Sequence, residues 1–223
     1  MKTTVTFAAA LLLCTACSTS PTFQSGPDAE VTFDGLTSME GTVLDSVWAR
    51  TDFDVAGYTK VMLEGLGVEF RPVTGPYSGR GGMSSVGTTR SSQTEFPMDD
   101  ATQQLFIQEI RGAFVEELGK SDTFELVDEP GPDVLKLRVG VYDVVSHVPP
   151  ETMGRSRIFL RSVGEASLVL ELRESQSNAI LIRAVDRRAA DRPGQAIEST
   201  RVTNVAEVRR LGRRWAVIIR DGL

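Results

Sequence analysis

The sequence predicts an α+β fold, an antiparallel or mixed sheet with two main helices packed on one face, and three observations predict it. Leu135, Leu137, Val139 and Val141 alternate with Lys136, Arg138, Gly140 and Tyr142, the period-two signature of a half-buried strand. Leu168, Leu170 and Leu172 repeat that alternation, and so do Ile180, Ile182 and Ala184 after the polar stretch 174–178, which predicts an antiparallel hairpin. Two further stretches space their apolar residues by three and four, as amphipathic helices do.

The elements follow in order. Residues 58–70 alternate, with Val61 and Leu63 on one face, and predict a strand. Residues 72–98 collect Gly, Ser, Thr and Pro without a buried pattern, and predict a long surface loop. Asp99 and Asp100 supply an N-cap and negative charge to a helix whose apolar face is Leu105, Phe106, Ile110, Ala113, Phe114 and Leu118, and Gly119 closes it. A short strand is predicted at 124–128. Beyond the strand at 135–141 and the hairpin, Asn204 and Glu207 read as a capping box for a last helix with Val205, Val208, Leu211, Trp215 and Ile218 on one face.

The first residues have a different grammar. Lys2 is followed by an apolar run to Leu13 and then by Cys14, Thr15, Ala16 and Cys17. One positive charge, a short apolar stretch and small residues before a cut describe a secretory signal, and the run falls short of the roughly 20 residues that span a bilayer. The small pair Thr15 and Ala16 just before a cysteine resembles the lipobox of bacterial lipoproteins. That resemblance implies cleavage before Cys17, diacylglycerol on its thiol and acylation of its new amino group. Cys14 stands where a leucine is commonest, and it is a poor acceptor because bulky Leu13 precedes it. The expected organisation is a signal peptide at 1–16, a lipidated N-terminus and flexible tether at 17–30, and one globular domain at 31–223. Ser18 after the acylated cysteine favours the outer membrane, facing the periplasm. The spacing of Cys14 and Cys17 also fits a redox pair, but such a pair belongs at a strand-to-helix turn inside a folded domain.

Charge narrows the partners. Without residues 1–16 the chain keeps 23 basic against 30 acidic residues, a net charge of −7. An acidic surface does not neutralise phosphates, so no nucleic-acid partner is expected. The segment from Arg201 onward is cationic, with Arg201, Arg209, Arg210, Arg213, Arg214 and Arg220 against Glu207 and Asp221. Pairing of this helix with acidic strands of its own domain is the expectation, with an anionic partner as the alternative.

Several segments together carry a wider resemblance: Phe33-Asp-Gly-Leu-Thr, Gly41-Thr-Val-Leu-Asp, Val47-Trp-Ala-Arg, Asp54-Val-Ala-Gly-Tyr-Thr-Lys and Val68-Glu-Phe-Arg. From about Val31 to the C-terminal helix the chain resembles a family of uncharacterised bacterial lipoproteins known only as a domain of unknown function, which implies no activity. The course from Tyr58 through the Asp99 helix to Pro132-Asp-Val-Leu-Lys-Leu-Arg is also similar in architecture to periplasmic lipoprotein domains of the curli secretion channel, the exopolysaccharide-export ring and peptidoglycan-synthase activators. That likeness implies assembly or regulation rather than catalysis.

Candidate chemistry is sparse. His147 is the one histidine, beside Ser146 and just after a strand, so a Ser-His-Asp arrangement would have to use it. A zinc site would have to be built almost wholly of carboxylates, which is unusual, and no metal or cofactor is expected. The run Gly79-Arg-Gly-Gly82 lacks the lysine and the helix start of a phosphate loop. Asp99 with Asp100, or Asp143 with Asp186, are candidate carboxylate pairs, with capping or solvation as the alternative. Trp48, Tyr58 and Trp215 read as core or packing residues. The expected function is a non-enzymatic, lipid-anchored binding or assembly module that contacts the membrane through Cys17 and other envelope proteins or polymers. The alternative is an envelope hydrolase with a carboxylate site in the loop 72–98.

Overall fold

The computed structural model describes residues 20–73, 95–149 and 157–223. Among these residues ten strands and two α-helices follow one another: β1 (Thr22–Phe23), β2 (Thr37–Glu40), β3 (Ser46–Ala49), β4 (Lys60–Phe70), α1 (Asp100–Leu118), β5 (Glu125–Leu126), β6 (Val134–Ser146), β7 (Phe159–Leu160), β8 (Ser162–Glu174), β9 (Ile180–Asp191), β10 (Ile197–Glu198) and α2 (Arg201–Gly222). Eight strands form a mixed sheet in the order β1-β2-β3-β9-β8-β6-β4-β5, and β7 pairs with β10 beside it. The expected α+β class is the observed one.

Register explains the core. Leu66, Val139, Leu170, Ala184 and Val47 lie side by side across β4, β6, β8, β9 and β3. Paired residues share a face, so the alternating apolar positions of separate strands merge into one apolar floor. Ile110, Phe114 and Leu118 of α1 and Leu211, Trp215 and Ala216 of α2 are buried in the same cluster as this floor. The helices meet closely at Gly212, where a Cβ would stand 3.1 Å from that of Ala113 and 3.2 Å from Ile110 Cδ1. Absence of a side chain there is what lets the two backbones approach.

Five details differ from the sequence reading. The helix α2 begins one turn before Asn204: Thr200 caps it, exchanging bonds with Thr203, while Asn204 lies inside the helix and Glu207 is wholly buried between Arg192 and Arg210. Thr200 lay outside the amphipathic pattern, which could not distinguish a cap from a polar helical residue. Gly119 ends α1 with a right-handed backbone (φ −67°) and an N–H donated to Val115 O, so a left-handed cap is not used. In the hairpin, the register skips between Leu172 opposite Ile182 and Arg173 opposite Ile180, and Leu181 is buried. That bulge takes Ile180 out of the expected alternation.

The sheet also starts earlier than the sequence indicated. Thr22 and Phe23, inside the segment expected to be tether, pair with Glu40 and Met39 of β2, and β2 and β3 carry the sheet on to β9. These strands are too short to show a period. Finally, the C-terminal arginines pair mainly with the neighbouring helix and not with strands. Arg209 meets Glu109 at 2.8 Å, Arg213 meets Glu116 at 3.0 Å and Glu117 at 2.8 Å, and Arg220 meets Glu117 at 3.2 Å. Arg214, bonded to Asp191 of β9, follows the expected pattern.

Candidate binding cleft

The candidate catalytic residues are separated by the fold. His147 extends β6, its N–H bound to Val163 O, and its Nδ1 lies 3.3 Å from Ser162 Oγ. Ser146, next in the strand, is buried with its Oγ accepting from Val148 N. Among the described residues no carboxylate joins His147 in a hydrogen bond or ion pair. Asp99 caps α1 by accepting from Thr102 N at 2.8 Å, and bonding to the Thr102 side chain first and its N–H second holds the Asp99 carboxyl below the usual range.

Asp143 and Asp186 do not form a pair either. Asp143 sits at a bulge of β6 with a left-handed backbone (φ 56°) and binds Arg71 and Arg187. Those bonds, from Arg71 first and Arg187 second, push its carboxyl well below the usual carboxylate range. Asp186 is turned the other way, 1% exposed beneath α2, where it accepts from Trp215 Nε1 at 2.7 Å, from Arg188 and from Asp45 N. Of the aromatic residues, Trp215 is fully buried, Tyr58 packs on Phe53 with ring centroids 5.9 Å apart, and Trp48 is half-buried in β3 opposite Arg183. The Trp48 Nε1 is buried without a hydrogen bond among the described residues. Cys17, Gly79-Arg-Gly-Gly82 and residues 74–94 of the predicted loop lie outside the described residues.

What the fold does assemble is a cleft of about 940 Å³ where the two helices start. Its apolar wall comes from three places: Leu105 and Phe106 of α1, Val208 and Leu211 of α2, and Val144 and Val163 of the sheet. The four helical residues belong to the apolar faces visible in sequence, whereas Val144 and Val163 lie outside its strand patterns, and the convergence of all six depends on helix placement. The cleft lies on the N-terminal side of the crossing at Gly212.

The polar groups around it are largely paired with one another. Arg157 and Glu198 form a two-bond ion pair that holds the Glu198 carboxyl below its ordinary value. Ser199 and Asn204 exchange side-chain bonds, and Glu109 and Glu165 are held by Arg209 and Arg187. Neither His147 nor any group of three or more potential metal-ligating side chains is part of the cleft among the described residues. No catalytic constellation is therefore assembled there among those residues. No described helix is long and apolar enough to cross a membrane.

The solved structures similar to the chain include the following three. A PelC variant dodecamer from Paraburkholderia phytofirmans shares 11% identity, covering 78% of this chain and 97% of that one, with a TM-score of 0.35. A Xanthomonas campestris protein of the DUF330 family model shares 13%, covering 77% and 86%, with a TM-score of 0.42. A putative neuraminyllactose-binding hemagglutinin homolog from Helicobacter pylori shares 13%, covering 75% and 86%, with a TM-score of 0.37. Likenesses of this size transfer no role. Curated proteins give no match. A family model matches residues 29–218, nearly all of the folded part, and by that match the chain belongs to the proteins of unknown function called DUF3313.

Proposed function

We propose that this chain is a lipid-anchored binding module of the bacterial cell envelope, without chemistry of its own, which is held to a membrane by acyl chains on Cys17 and offers the cleft between its helix starts to an envelope partner. The observation that carries the binding reading is the cleft itself. Its volume falls within the roughly 300–1,000 Å³ typical of ligand sites, one wall of it is apolar, and the rim charges Arg157, Glu198, Glu109 and Glu165 are each held in an ion pair. A hydrolase would need an activated nucleophile or an acid and base within reach of one another, whereas His147, Asp143 and Asp186 are each committed elsewhere.

The anchor rests on the leader and on Cys17. Each buried methylene contributes about 0.8 kcal/mol, and stable attachment takes two or three acyl chains rather than one. Ser18 at the following position supports the outer membrane, with the domain in the periplasm. Fractionation of cells with lipid labelling tests the reading: the unaltered chain enters the membrane fraction carrying label, and Cys17→Ser abolishes both. A Cys17→Ser chain still labelled and membrane-bound overturns it. Crosslinking from intact membranes then identifies what lies against the cleft.

A further inference from the structure

We infer that the cleft is a site for a single-chain lipid anion, a long alkyl chain lying along the apolar wall with its acidic head at the start of α2; this rests on the binding-module reading above and names its ligand class. Charge distinguishes the two ends of the cleft. The first turn of α1 is already neutralised by Asp99 and Asp100, and Asp99 is spent on the Thr102 N–H. The first turn of α2 has no acidic residue and begins with Arg201, and the one carboxylate just before its cap, Glu198, is held by Arg157. A helix start carries partial positive charge, so an anionic head is favoured at this end and disfavoured at the other.

Arg201 differs from the other cleft arginine. Arg157 is held by Glu198, while Arg201 lines the cleft and has no ion pair or side-chain hydrogen bond among the described residues. Val202 beside it and Phe159 beside Arg157 are exposed large apolar residues, 79% and 57% accessible.

An alkyl chain fits the wall better than a peptide does. Leu105, Phe106, Val144, Val163, Val208 and Leu211 offer no hydrogen bonds, and Ser199, Asn204 and Ser146 already bond within the protein. A peptide laid there would leave buried amides without partners, at a cost of about 1–3 kcal/mol each. An alkyl chain has no such groups to satisfy.

The test uses the full chain with Cys17→Ser, which removes its own acyl groups as a source of occupancy, titrated with a fluorescent long-chain fatty acid. Saturable binding is expected, displaced by unlabelled fatty acid. Val208→Trp fills the cleft and should weaken binding at least tenfold, with Val208→Leu staying within about twofold of the parent. Arg201→Glu, at an exposed position where folding is not at stake, should weaken binding several-fold, and less so at high salt. Absence of saturable binding overturns the inference, as does undiminished binding by Arg201→Glu, or displacement by apolar peptides but not by fatty acid. Lipid labelling of the unaltered chain is read separately, so loss of the anchor and loss of the ligand site are distinguishable.

Discussion

The Trp215 indole N–H is bonded to the Asp186 carboxylate at 2.7 Å beneath α2, with both residues sealed from solvent. The bond joins helix to sheet and satisfies a donor that an apolar core would otherwise orphan. Arg188 and the Asp45 N–H complete the carboxylate's partners, so one buried acid ties together α2, β9 and the turn before β3. Asp186→Ala should destabilise the protein by about 3 kcal/mol, since it leaves the indole and a guanidinium unpaired. Trp215→Phe should cost about as much through lost packing together with the unpaired acid. Urea unfolding of the two single variants and the double variant checks this, and strong non-additivity is expected because they share one bond.

Asp143 gives the stability a dependence on acid. Bonds from Arg71 and then Arg187 hold its folded pKa below the unfolded value of about 3.9. A group depressed in this way contributes fully above its unfolded pKa, and the contribution is lost as pH falls through the folded value. The urea midpoint should therefore hold steady near neutrality and fall below about pH 4. Asp143→Asn should lower the neutral midpoint and flatten the acid decline. The same profile in both proteins would show that Arg71 and Arg187 gain nothing from this carboxylate.

Gly212 sets the distance between the helices. A side chain there presses on Ala113 and on both the backbone and side chain of Ile110. Gly212→Val should destabilise by about 1–3 kcal/mol through overpacking, despite the better helix propensity of valine. Thermal unfolding measures it, and Ala113→Gly in the same chain should recover part of the loss. Because the cleft lies beside this crossing, a folded Gly212→Val chain should also bind the fatty-acid probe differently from the parent.

Much of the fold could be read from the sequence because its long elements bury one face each. The alternation in β6 and β8 and the three-four spacing in α1 and α2 follow directly from backbone periodicity against a single apolar layer. The short strands β1, β2 and β3 could not be read this way, since two to four residues carry no period. The start of α2 was misplaced because Thr200 and Asn204 are both good caps by type, and only the bonds with Thr203 decide between them.

By itself the sequence determined the fold class and the presence of a single histidine, both of which are properties of local pattern and residue count. Only the tertiary structure decided where charge and cavity fall. It placed Asp143 and Asp186 in different environments, set the C-terminal arginines against α1, and brought the starts of two helices far apart in the chain to a common cleft. The physical reason is that an apolar face specifies burial but not partner, and the packing of α1 against α2 at Gly212 specifies which faces meet.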